Sequence, residues 1–151
     1  MLHHTCSFAA AIGLALGESL AQAQATPAGL WKTIDDETKQ EKSLVRITDE
    51  GGVYTGRIER LLDPSMGPER VCEKCSDDRK GQPLVGMTLI KGIKRSDGDK
   101  VQFDGGEILD PNNGKTYKAR LTPVDGGKRL DVRGYIGTPL LGRTQTWIRV
   151  E

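Results

Sequence analysis

The 151-residue chain is poor in the side chains most enzymes rely on: it has two histidines, three cysteines, two Phe, two Trp and three Tyr. Both histidines, His3 and His4, and one cysteine, Cys6, fall in the first 25 residues. There a short apolar run, Phe8 to Leu16 (FAAAIGLAL), is followed by Ala21-Gln22-Ala23 and Ala23-Gln24-Ala25, each of which fits a signal-peptidase site. We therefore expect residues 1–25 to be a signal peptide cleaved near Ala23 or Ala25, residues 26–151 to be the mature domain, and the location to be periplasmic or secreted. The start departs from the usual basic one in having no Lys or Arg before Phe8, and Cys6 precedes the apolar run, so it does not read as a lipid-attachment cysteine.

A chain processed in this way has no histidine, which removes Ser-His-Asp and Cys-His catalysis. No apolar run reaches the length of a bilayer-spanning helix, so no membrane span is expected. The whole chain carries 22 Lys plus Arg against 21 Asp plus Glu; Glu18 is the one charged residue of the first 25, which leaves a mature net charge near +2. Such a balance steers toward no polyanion, and with bases scattered and aromatics few, no stacking platform for nucleic acid is expected. No phosphate-binding glycine loop is present, because Gly51-Gly52, Gly105-Gly106 and Gly126-Gly127 all sit at strand ends or bends. Asp35, Asp36 and Glu37 are adjacent in a polar stretch and read as a solvated loop rather than a paired acid and base. Asp110-Pro111-Asn112-Asn113-Gly114 has its Gly one position early for a calcium loop and lacks the downstream Glu, so a hairpin turn is the better reading. We expect no enzyme, no cofactor and no metal.

What is present is short strands and turns. Leu130, Val132 and Gly134 alternate with Asp131, Arg133 and Tyr135, and Thr146, Ile148 and Val150 alternate with Gln145, Trp147 and Arg149, with Gly137, Pro139 and Gly142 between the runs. This is the period-2 pattern of a strand, twice, around a turn. Upstream, strands are expected over Gly29–Ile34, Ser43–Thr48, Val53–Leu62, Leu84–Lys94, Val101–Leu109 and Lys115–Val124. Gly105-Gly106 predicts a bulge or sharp bend in the fifth. Eight strands without an intervening helix, in a chain of single-domain size, point to an all-β, eight-stranded antiparallel up-and-down barrel, closed to remove its exposed edges. In a meander the odd connections share one end. The acidic stretch Asp35–Lys42, the Cys72–Cys75 loop, the Asp110–Gly114 turn and the Gly137–Gly142 linker are therefore expected on one rim, with tight turns on the other.

Gly29-Leu30-Trp31-Lys32-Thr33, Cys72-x-x-Cys75, Pro83-Leu84-Val85-Gly86, Gly105-Gly106-x-Ile108-Leu109-Asp110-Pro111-x-x-Gly114-Lys115-x-Tyr117, Val132-Arg133-Gly134-Tyr135-x-Gly137 and Leu141-Gly142-Arg143-Thr144-x-x-Trp147 together resemble the bacterial secreted family known as domain of unknown function 2147 (DUF2147). The likeness runs over essentially all of Gly29–Glu151; it implies an exported bacterial protein and brings no established activity. A weaker likeness is to lipocalins and other calycins, whose barrels begin with Gly-x-Trp and end with an Arg packed on that Trp. Gly29-Leu30-Trp31 matches the first element, and Arg149 or Arg143 could supply the second.

Cys72 and Cys75 are close enough to pair in an oxidising compartment, where so small a loop contributes roughly 2 kcal/mol and orders a long rim segment. The alternatives are thiol exchange, opposed by the acidic Ser76-Asp77-Asp78 alongside, and zinc, which lacks its other ligands. Arg133, Tyr135 and Arg143 flank the rim linker. They either fix the last hairpin, the stronger reading, or point into the mouth and hold an anionic group. Trp31 and Trp147 read most simply as core or barrel-closing residues. The functional expectation is a small, apolar or anionic amphipathic ligand held by Arg133, Tyr135 and Arg143, with Trp31 and Tyr117 as apolar lining. Its rivals are an envelope interaction module with a filled barrel and a thiol-exchange factor. Interior volume separates the first two, since a ligand site needs hundreds of cubic ångströms.

Overall fold

The computed structural model describes residues 25–151; the segment expected to be a signal peptide, apart from Ala25, lies outside them, with His3, His4 and Cys6. Eight strands follow one another: β1 (Gly29–Ile34), β2 (Glu41–Glu50), β3 (Val53–Leu61), β4 (Thr88–Arg95), β5 (Phe103–Asp110), β6 (Lys115–Val124), β7 (Arg129–Tyr135) and β8 (Gly142–Arg149). A single 3-10 turn, Asp125–Gly127, joins β6 to β7. Each strand pairs antiparallel with its neighbour in sequence and β8 returns to β1, giving the closed up-and-down barrel that the alternating pattern predicts.

Inward-facing positions follow the period of two. Ser43, Val45 and Ile47 of β2 are buried, as are Tyr54, Gly56 and Ile58 of β3, Ala119 and Leu121 of β6, and Leu130 and Val132 of β7, while the residues between them are partly or fully exposed. The predicted bend in β5 is there. Pairing with β6 shifts register between Phe103 and Gly106, and on the other side a Cβ at Gly106 would stand 2.1 Å from the Lys91 carbonyl oxygen, so β5 and β4 approach more closely than any larger residue allows.

Two strands start later than expected. Leu84–Met87 is not ladder but loop: Leu84 N–H donates to the Arg70 carbonyl, Gly86 N–H to that of Ile58, and Met87 N–H to that of Leu84. The apolar run that reads as strand is a loop folded back on the barrel, with Leu84 and Met87 buried and Val85 exposed. Likewise Val101 lies in the turn before β5, its N–H bound to the Asp99 carboxylate.

The seam between β1 and β8 is short. Its ladder has two pairs, Trp31↔Arg149 and Lys32↔Ile148, against seven between β7 and β8, and beyond the ladder Leu30 exchanges backbone hydrogen bonds with Val150 and Glu151. Side chains make up the difference. The Arg149 guanidinium lies 4.2 Å from the centroid of the Trp31 ring and donates to the carbonyls of Thr26, Ala28, Gly127 and Glu151. Trp31 is fully buried, and its indole N–H donates to the Pro27 carbonyl at 2.8 Å. Residues 26–28 thus cross the barrel end formed by the even connections and are stapled to both terminal strands. Gly29 has φ +141°, and a Cβ there would stand 2.3 Å from an Arg149 nitrogen, so the Gly of Gly-x-Trp is what lets the arginine in. Of the two arginines considered, Arg149 is the one on the tryptophan.

Removing Arg149 strips charge-assisted hydrogen bonds and a cation–π contact from the seam together. We predict that Arg149→Ala lowers unfolding free energy by about 3 kcal/mol and that Arg149→Lys, keeping the charge but not the planar fork, recovers less than half of it. Urea unfolding of the three proteins measures this; a loss below about 1 kcal/mol would mean the seam is held by its backbone alone.

Candidate functional site

The end opposite Arg149 is hollow. A cavity of about 820 Å³ opens there, lined by residues from all four odd connections: Asp35, Asp36 and Glu37 from the first, Met66, Arg70, Glu73, Lys74 and Leu84 from the third, Asp110–Asn113 from the fifth and Leu141 from the seventh. The cysteine-bearing segment and the Gly137–Gly142 linker therefore share one mouth, as the meander requires. The floor is apolar, built by Ile58, Leu89, Ile108, Leu109, Val132 and Trp147. Some of the polar wall residues are paired: the hydroxyls of Thr33 and Ser43 are 2.9 Å apart, and Lys42 Nζ lies 3.0 Å from Oδ2 of Asp63, which stands outside the lining.

Two contacts hold the long third connection in place. Cys72 and Cys75 form a disulfide and both are buried, in the same apolar cluster as Leu84 and Met87. Gly114 abuts the same segment: with φ +74°, a Cβ there would stand 1.8 Å from the Lys74 carbonyl oxygen. The turn after β5 thus seats the cysteine loop by a contact that only glycine permits.

Of the residues singled out from sequence, Tyr117, Tyr135 and Arg143 line the cavity; Arg133 and Trp31 do not. Arg133 stands on the wall of the last hairpin, donating from Nε to the Pro139 carbonyl at 2.6 Å and from a terminal nitrogen to Thr144 Oγ1 at 2.8 Å, and so fixes the linker. Trp31 is sealed at the far end under Arg149. Tyr117 Oη accepts from Asn113 Nδ2 at 2.9 Å. Arg143 grips Asp36 bidentately, at 3.0 and 2.7 Å, and reaches Glu37 at 3.1 Å. Burial pushes the Asp36 carboxyl up, but the Arg143 hydrogen bond and charge, with Gln145 behind them, hold it below its ordinary value. Gln145 in turn accepts from the Trp147 indole at 3.0 Å. The wall from Trp147 through Gln145 and Asp36 to Arg143 is one polar chain, and it ties the first connection to the neighbouring start of β8.

Sequence reasoning missed Lys42, Arg70, Lys74 and Gln145 as parts of this site, and Asp63 as the partner of Lys42. Among the described residues no group of three or more His, Cys, Asp or Glu is arranged to hold a metal ion, and no helix is long and apolar enough to cross a membrane.

The motifs fall on this frame as the family likeness implied: the profile described as "Uncharacterized protein conserved in bacteria (DUF2147)" matches residues 29–149. The chain belongs to the DUF2147 family. No curated protein matches it. Among solved structures, this DUF2147 chain is similar to one described as "Protein HP1028 from the human pathogen Helicobacter pylori belongs to the lipocalin family", with a TM-score of 0.71 over 85% of each chain at 18% identity. At that identity the likeness speaks for the fold, a lipocalin-like barrel, which is the architecture described above.

Asp63 supplies a pH signature at the rim. Hydrogen bonds from the Ser65 hydroxyl and N–H, then from Lys42, bring its carboxyl down from 3.8 to about 2. A carboxyl lowered on folding stabilises the folded state above its unfolded value, and that contribution disappears as pH falls through the folded value. We predict that the stability gap between wild type and Asp63→Asn is constant above about pH 5, narrows as pH drops through 3.8 and closes near 2. Urea midpoints measured against pH test this; a gap independent of pH would contradict it.

Proposed function

We propose that this DUF2147 protein is an exported binding protein that carries a small, partly apolar molecule in the cavity between its four rim loops. One observation carries the reading: an interior space of about 820 Å³ with an apolar floor and a polar rim, at one end of a barrel whose other end is sealed. Ligand pockets fall in the range of roughly 300–1,000 Å³ and have this division of lining. A filled barrel working only through its loops would have no such space. Export fits the Cys72–Cys75 disulfide, which persists in oxidising compartments. Binding rather than catalysis fits the family and the fold, and the Asp36–Arg143 and Lys42–Asp63 pairs hold each other's charge rather than forming an activated nucleophile or base.

Thiol exchange fits poorly. Cys72 is 1% and Cys75 2% exposed, and exchange requires an attacking thiolate to reach one of the sulfurs. The interaction-module reading draws on one feature, the apolar tip of the seventh connection, where Ile136, Leu140 and Leu141 are 63%, 88% and 72% exposed.

The test is to purify the protein from its native envelope, extract it with organic solvent and identify what is released by mass spectrometry. We expect one molecular class, recovered reproducibly from wild type, and at least about tenfold less of it from Ile108→Trp, which fills the floor while leaving the rim intact. Recovery of nothing from folded wild-type protein, or equal recovery from both, would overturn the proposal in favour of the loop-only module.

A further inference from the structure

Four cations line the mouth, and they divide into two kinds. Arg143 is neutralised by Asp36 and Glu37, and Lys42 by Asp63. Arg70 and Lys74 are exposed, line the same cavity, and have no hydrogen-bond or ion-pair partner for their side chains among the described residues. Both stand on the third connection, on either side of Cys72, and the backbone between them is constrained. Cys72 and Cys75 turn inward into the apolar cluster, the Lys74 carbonyl is pressed against Gly114, and the N–H and carbonyl of Cys72 bond to Gln82 and Gly81. Two cations without partners are thus carried at the edge of an apolar hollow by the best-anchored loop of the rim. The neighbouring first connection also presents charge to the mouth, but its Asp36 and Glu37 are held by Arg143, so they do not neutralise Arg70 or Lys74.

We propose that Arg70 and Lys74 form an anion clamp, and that the occupant of the cavity is a single-chain amphiphile whose tail lies on the Ile58–Trp147 floor and whose anionic head meets these two side chains. This rests on the binding function proposed above and adds the head-group chemistry. The anion-binding role expected of Arg133 and Arg143 passes to the third connection, because those two guanidinium groups already hold the linker and Asp36. Glu73, which also lines the mouth and lies between the clamp residues, opposes the anion and reduces the net charge of the segment. It therefore predicts an effect of opposite sign. The disulfide gains a purpose beyond stability, since it fixes the loop that carries both cations.

Isothermal calorimetry at neutral pH with decanoate, decanol and decyltrimethylammonium, which share a tail and differ in head charge, tests the clamp. Wild type is expected to bind decanoate about tenfold tighter than decanol and to bind the cation most weakly. Arg70→Gln with Lys74→Gln is expected to abolish the preference for decanoate while leaving decanol affinity within about twofold, Glu73→Gln to widen the preference, and Arg143→Gln to leave it in place. All four positions are exposed, and far-ultraviolet circular dichroism checks that each variant is folded. Equal affinity of wild type for decanoate and decanol, or a preference that survives the double substitution, would overturn the clamp while leaving the binding function standing. Binding of none of the three amphiphiles would overturn both.

Discussion

The barrel depends on one arginine lying on one tryptophan. A cylinder of eight strands must join its first and last, and here the backbone makes that joint with a two-pair ladder and the hydrogen bonds of Leu30 to Val150 and Glu151. Arg149 completes it by reaching four carbonyls drawn from the N-terminal segment, the β6–β7 turn and the C-terminal residue, while its flat face covers Trp31. Burial opposes the charge and lowers the guanidinium pKa, and the hydrogen bonds and ring contact offset that cost. An arginine in place of a hydrophobic plug makes the joint directional, since its hydrogen bonds to the carbonyls of Thr26, Ala28, Gly127 and Glu151 and its contact with the Trp31 ring must all be made at once.

Sealing one end in this way lets the other stay open. The interior near Arg149 is filled: Trp31, Phe103, Ile47, Ile93 and Leu121 are almost wholly removed from solvent, and Tyr54 meets Phe103 edge to face with ring centroids 5.2 Å apart. Toward the odd connections the side chains stop short of filling the cylinder. The rim is braced instead by contacts at the loops, with Arg143 tying the first connection to the start of β8 and Gly114 seating the third against the fifth. Packing at the closed end and bracing at the open end are complementary, because a hollow rim adds little core of its own.

The strands, their order and the gathering of long loops at one mouth were legible in the sequence because each follows from local periodicity and from parity in a meander. Gly29 and Trp31 were legible through the likeness to lipocalins, which left Arg149 and Arg143 open as the arginine on that tryptophan, and the ring contact decides for Arg149. What local pattern could not carry was pairing at long range. Arg143 and Asp36 are 107 residues apart, and nothing near either one says that they neutralise each other. From sequence Arg133 and Arg143 could thus be read either as hairpin braces, the stronger reading, or as cations for a ligand, whereas Arg70 and Lys74, in a stretch without periodicity, read as loop charge. The start of the fourth strand was misplaced for the opposite reason: Leu84-Val85 is apolar enough for a strand, but the N–H of Leu84 is bound to the Arg70 carbonyl.

The two tryptophans report directly on a barrel that is sealed at one end and hollow at the other. The Trp31 indole N–H is bound to Pro27 at the filled end, and that of Trp147 is bound to Gln145 on the cavity wall. Hydrogen exchange of the two indole protons, followed by NMR on the ligand-free protein, separates the ends without any assumption about the ligand. The account predicts that Trp31 exchanges only at the rate of global unfolding, and that Trp147, although only 2% exposed in the static structure, exchanges at least about a hundredfold faster through the open mouth. Equal protection of both, or faster exchange at Trp31, would contradict it.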